Sequence, residues 1–458
     1  MYGRGQLRIA ESVGEARALR AEVRDWQANW NAVDAMGAHR TQLELLCGVV
    51  TGLIDEIEAR VAAADPAAGT GAVYEQCRAA DLRLLHARRL WRWYADKFDQ
   101  RLGRDDSPQV QTLLAADEVI WSCWKTAFSA LGETAPPAPV PYLAPQFSAS
   151  ATPRADPPDG LRPGADDLLR KHVEALPVAA VGLPPVCSRR PWWLIVSAHE
   201  VSHHVQFESP GLEPLTQERV VGAAYEASGD LMVAEAWRPW CRELFADACA
   251  ALLVGPAAAW AVAELELRTL PGLRKSPSVT YPPPLVRLAV LTAVAEQAEL
   301  PSWPGLLPEQ ADLGPDDAAA AADLPDLMAC APDVAAALLG LTSAAGRPLR
   351  TLAKPTAKAY RDRGSISGWQ AELLGAAEPV PREALDAARF CAAAGVQAWH
   401  RLAGRDGQDA LAARLSGRLR AVLPLCREPG SRAAGSVPDV TALTREFSAD
   451  LFADGGRG

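Results

Sequence analysis

Apolar side chains recur at spacings of three and four along most of this chain, the period of one face of an α-helix. Leu43, Leu46, Val50, Ile54, Ile57 and Val61 follow it. So do Leu113, Leu114, Ile120, Trp121, Trp124 and Phe128, after a helix start at Ser107-Pro108. These runs predict a helical domain over residues 1–132. One of its helices, Tyr74 to Phe98, sets Arg78, Arg83, Arg88, Arg89 and Arg92 beside Trp91 and Trp93. Glu75, Asp81 and Asp96 dilute that charge, so the stretch reads as a solvated face rather than a nucleic-acid surface.

The helical period stops at residues 133–164. Pro136, Pro137, Pro139, Pro141, Pro145, Pro153, Pro157 and Pro158 exclude a helix and predict an extended connector. Tyr142, Leu143 and Phe147 would lay it against a surface, across the region that follows. Leu176 to Leu183 is the best strand in the chain. A third block, 165–300, returns to helices, and a fourth, 301–458, is alanine-rich and helical with loops at 345–348 and 428–438. The most apolar run, Ala248 to Ala263, is broken by Gly255-Pro256. It reads as an interrupted buried helix, because a bilayer span needs ~20 strongly apolar residues. The expected fold is mainly α, with a small β element and helical domains at both ends.

Composition narrows the function. The chain has 458 residues, 49% hydrophobic and 22% charged, with a net charge of −10. That balance is globular and disfavours a nucleic-acid partner, which requires a dense basic surface. Nine scattered cysteines without a C-x-x-C pair point to reduced thiols and a cytoplasmic location. Met1 to Ala10 carries no apolar stretch of the signal-peptide kind.

One segment carries chemistry. Trp192 to Phe207 reads W-W-L-I-V-S-A-H-E-V-S-H-H-V-Q-F and holds three of the chain's seven histidines. On a helix opened by Pro191 and closed by Ser209-Pro210-Gly211, His199 and His203 stand one turn apart on one face. Two imidazoles so placed reach one zinc ion at ~2.0–2.1 Å. Glu200, beside the first ligand without being one, can accept a proton from the attacking water. His204 points off that face and suits packing, and His172 reads as a surface residue.

A zinc enzyme needs a third protein ligand. Gln206 and Ser209 occupy the places where a longer histidine motif would need glycine and histidine, and no histidine lies between 205 and 300. The ligand is therefore a carboxylate. Glu243 and Asp247 share one face of the apolar stretch R-E-L-F-A-D-A-C-A-A-L-L, with Ala246 and Ala250 small enough for close helix approach. Glu243 is the expected ligand, and Asp247 would accept the free N–H of a ligand histidine. Asp230, in a turn after Gly229, and Glu235, separated by Trp237 to Trp240, are the alternatives. Cys241 and Cys249 read as buried thiols.

These segments resemble the gluzincin metallopeptidases, in which H-E-x-x-H is followed by a second helix with E-x-x-A-D. Here they are His199-Glu200-x-x-His203 and Glu243-x-x-Ala246-Asp247. Thr280-Tyr281-Pro282-Pro283-Pro284-Leu285-Val286-Arg287 is similar to the T-H-P-P-x-x-x-R of that clan's prenyl-protein and heat-shock membrane peptidases, with Tyr281 replacing the histidine. Their transmembrane helices have no counterpart. The resemblance spans roughly residues 170–292. It implies a zincin-like catalytic core, one Zn2+ per chain, and hydrolysis of a protein or peptide substrate lying along a sheet edge, with Leu176 to Leu183 as that edge. Tyr281 and Arg287 are candidate oxyanion donors, because a proline-stiffened loop could aim them at the cleft; Tyr281 reads otherwise as an ordinary buried tyrosine, and Arg287 also as a support behind the ligands. Two other readings stand beside this one: a zinc-binding helical scaffold or adaptor without turnover, and a metal-free interaction protein. Glu200 argues against the scaffold, which has no use for a non-ligand carboxylate at that place.

Overall fold

The first apolar face predicted along the chain is buried. Leu43, Leu46, Val50, Ile54, Ile57 and Val61 are all less than 5 % exposed in the helix Arg40–Ala62. This computed structural model describes residues 3–102, 107–145, 150–152, 167–176, 178–266, 279–303, 324–362, 365–428 and 439–453. They are mainly helical, and none of their helices is long and apolar enough to cross a membrane. Two units are distinguished. The first comprises Met1–Leu102, Thr152–Ala179 and Ser431–Gly458; the second comprises Gly103–Ala151 and Ala180–Gly430. Blocks read in chain order therefore do not coincide with the units. The helix Pro108–Leu131 and most of the alanine-rich region belong with the H-E-x-x-H segment.

In the first unit, helices Arg4–Asn31, Arg40–Ala62 and Thr70–Phe98 pack on one another. Their closed end is aromatic: Trp26 meets Trp30, Trp91 and Phe98 edge-on, and the Trp26 and Trp30 indoles both donate to Asp99. The C-terminal helix Val440–Ala453 lies on Arg40–Ala62 across a notch of small residues. A Cβ at Gly48 would come within 2.9 Å of Val440, and one at Gly52 within 2.7 Å of Thr444.

His172, expected at a surface, is fully buried in the short helix Asp167–Ala175. Its ring stacks on Phe447 at 4.2 Å and faces His86, with Nδ1 2.9 Å from Nε2. Lys171 and Asp450 complete the surroundings, the latter 3.6 Å from His172 Nε2. Burial, helped by His86, pushes His172 down from 6.5 to about 4. Between those values the unfolded chain binds more protons than the folded one, so stability falls as pH drops through the window. His172→Phe keeps the stacked ring and removes the titration. We expect thermal melts to converge for wild type and variant near pH 4.5 if the variant starts less stable at pH 7. Parallel pH profiles would contradict the assignment.

In the second unit, Ser107 caps the helix Pro108–Leu131 by accepting from the Val110 N–H, as its Ser-Pro start predicts. The connector, expected to be extended and laid against a surface, contains a strand. β1 (Val140–Leu143) pairs in parallel with β3 (Ala180–Leu183), in register Val140 to Ala180. β2 (Ser150–Thr152) lies on the other side, giving the order β1-β3-β2. The strand expected to be a free edge is thus the central one, because connector backbone already satisfies its hydrogen bonds. Residues 146–149, Phe147 among them, and 153–164 of the connector lie outside the described residues.

The interrupted apolar helix is present as Cys241–Val254 and Pro256–Glu266, joined by Gly255 at φ +69°. A side chain there would strike Tyr360, whose ring would lie 2.3 Å from a Cβ. The carbonyls ending the first half are satisfied from the helix Ala353–Arg361: Thr356 donates to Leu252 and Leu253, and Tyr360 to Val254. This is why the alanine-rich region does not form a unit of its own.

Candidate metal centre

The helix Ser197–Glu208 follows a 3-10 turn over Pro191–Val196 and ends at Ser209, within a residue or so of its proline and glycine signals. Trp192, Ile195, Val201 and Val205 are buried and hold it in the core. It packs on Cys241–Val254, where Ala246 and Ala250 keep the contact surface shallow. His204 leaves the shared face: its Nε2 lies 3.3 Å from the Ala180 carbonyl of β3, and its ring meets Trp124 edge-on. That confirms packing for His204. Cys241 and Cys249 are buried thiols, each pushed up to about 12 by burial.

The facing sides of the two helices bring His199, His203 and Glu243 together. His199 Nε2 and His203 Nε2 are 3.1 Å apart. Glu243 places Oε2 3.3 Å from the first and Oε1 3.4 Å from the second. Donors arranged tetrahedrally around zinc at ~2.0–2.1 Å stand ~3.3–3.4 Å from one another. The two imidazoles and one carboxylate therefore fit that ion in both donor type and spacing.

Supports stand behind the donors. His199 Nδ1 lies 2.8 Å from Asp247 Oδ1, on the ring side away from the donor cluster. Arg287, in the helix Pro284–Gln297, grips both Asp247 oxygens, Nε at 2.5 Å and Nη2 at 2.9 Å. Its Nη1 donates to Glu266 at 2.7 Å, and Nη2 stands 3.4 Å from Glu243. The guanidinium is thus committed to carboxylates, and its expected role as an oxyanion donor gives way to that of a support. Glu266 is the participant that sequence reasoning missed. It ends an apolar helix with no periodic or motif signal to single it out.

Charge follows from these neighbours. Burial opposes ionisation of His199, but Asp247 and Glu243 outweigh it and push its pKa up to about 10. An imidazole that binds a cation must first give up that proton. Burial pushes His203 down to about 4. Glu243 is held at about 2 despite burial, by His203, His199 and Arg287. Asp247 likewise stays ionised against burial, chiefly through Arg287.

Glu200 is 6 % exposed on the same helix, next to His199. Tyr281 is 38 % exposed, with its ring centre 5.8 Å from the Arg287 guanidinium carbon. Burial and the charges of Glu243 and Glu200 push its hydroxyl well above the ordinary phenol range, so it is a proton donor at neutral pH. The other ligand candidates lie elsewhere. Asp230 caps the helix Leu231–Ala236 by accepting from the Met232 N–H, and Glu235 pairs with Arg238 in solvent. No protein-family model matches the chain, and neither does any curated protein or solved structure.

Proposed function

We propose that the chain is a zinc-dependent metallopeptidase of gluzincin type, with a zincin-like core and a zinc ion held by His199, His203 and Glu243. The observation that carries this reading is the convergence of two imidazole nitrogens 3.1 Å apart with the two oxygens of Glu243, each 3.3–3.4 Å from one of them, and a buried carboxylate beside the cluster. Zinc, when bound, supplies Lewis acidity and brings water toward ionisation at neutral pH.

The chain's own residues do the rest. Glu200 accepts a proton from the attacking water and returns it to the leaving amine nitrogen. Tyr281 keeps its O–H and donates it to the developing oxyanion. Asp247 fixes the His199 ring, Arg287 fixes Asp247, and Glu266 fixes Arg287. The substrate is a protein or peptide. It approaches past β1 or β2 if it pairs with the sheet at all, since β3 has a neighbour on each side.

The test combines metal analysis with proteolysis. The purified chain is expected to hold one zinc and to cleave unstructured peptides. A chelator should abolish cleavage and added zinc should restore it. One zinc with no hydrolysis of any peptide in a diverse library would leave the scaffold reading; no bound metal would defeat both.

A further inference from the structure

We propose that the second unit carries an anion-binding groove, apart from the metal centre, that takes a phosphate-bearing ligand between Arg189, Arg190 and Arg420. The groove has a volume of about 530 Å³, inside the range of ~300–1,000 Å³ usual for small-molecule sites. One wall is the short helix Val186–Arg189 and the start of the turn that follows it. The other is the helix Gln408–Val422. On that helix Ala412, Ser416 and Arg420 fall four residues apart and share one face. Ala412 leaves room. Ser416 donates to the Arg189 carbonyl at 2.9 Å, and Arg420 Nη1 to the Ser188 carbonyl at 2.8 Å, so the walls are tied together.

Among the described residues, no carboxylate lies at ion-pair distance from any of these three guanidiniums. Arg287 is the contrast, buried among three carboxylates. Three like charges around one concavity repel each other, and an anion relieves that repulsion. Trp192 forms the floor. Trp192 is fully buried, stacks on Trp399 at 4.8 Å, and its indole Nε1 has no hydrogen-bond partner. Arg190 stands 5.9 Å from the Trp399 ring centre. The groove thus offers guanidinium N–H groups with no acidic side chain in its lining. Planar guanidinium forks match the oxygens of phosphate, and the indole and Ala412 suit an organic body attached to it. None of this depends on the metal reading.

The test is calorimetric titration of the full chain with pyrophosphate and with ADP, alongside sedimentation with phosphatidylcholine vesicles with and without phosphatidic acid. Saturable one-to-one binding is expected, weakening with added salt. Arg190→Gln, or Arg189→Gln with Arg190→Gln, should weaken it about tenfold or more, the scale of a lost charge-assisted hydrogen bond. Arg238→Gln, which removes a solvent-exposed pair with Glu235, should leave it unchanged. Melting curves show that each variant is folded. Arginine-dependent binding of the soluble probes supports a soluble phosphate ligand; the same dependence on phosphatidic-acid vesicles alone supports a lipid headgroup. Failure to saturate with any probe, or equal binding by the folded double variant, would overturn the proposal.

Discussion

Replacing Glu200 by glutamine is expected to leave zinc bound and to slow peptide hydrolysis by about two to four orders of magnitude, the usual worth of a general acid–base group. The side chain sits next to His199 on the helix Ser197–Glu208 and is outside the cluster of His199, His203 and Glu243. Glutamine keeps its volume and can still accept a hydrogen bond, but it does not take up the water proton. Since Glu200 is buried, the isosteric change also avoids a cavity. Metal content, melting temperature and kcat on an unstructured peptide separate the outcomes. Wild-type turnover by the variant would remove Glu200 from the mechanism. Loss of zinc would show that it is a ligand.

The second large effect concerns the third donor. Glu243→Ala should lose most zinc affinity, because its two oxygens face the His199 and His203 imidazoles. Asp247→Ala should weaken binding by about 10- to 100-fold, as the loss of a partner behind a ligand histidine does. It should also destabilise the fold by about 3–5 kcal/mol, because Arg287 loses the carboxylate it grips with two nitrogens in the interior. Glu235→Ala should change neither property, since its side chain is in solvent with Arg238. Zinc competition against a chelator, read with thermal melts, distinguishes lost ligation from lost folding. Unchanged affinity in a folded Glu243→Ala protein would move the third ligand elsewhere and end the gluzincin reading.

The local parts of this centre were legible in the sequence because local spacing determines them. An i, i+4 pair on a helix shares a face whatever surrounds it, so His199 with His203, and Glu243 with Asp247, could be read directly. The same holds for the Ser107-Pro108 helix start and the break at Gly255-Pro256. What lies behind His199 and Glu243 was partly legible: Arg287 through a motif, Glu266 not at all. A salt bridge between residues 21 positions apart depends on where two helices cross, and periodicity carries no information on that.

Unit membership is a tertiary decision for the same reason. An amphipathic helix declares that it will bury a face, but not against which partner. Pro108–Leu131 buries its face against the H-E-x-x-H helix, and Ala353–Arg361 supplies Thr356 and Tyr360 to the end of the glutamate helix. Those contacts come from distant parts of the chain. His172 shows it at one residue: its neighbours in sequence suggested a surface, and Phe447 and His86 bury it. β3 shows it for a strand. Its apolar run predicted the strand, while its central place was decided by a proline-rich segment whose remaining N–H and C=O groups found partners there.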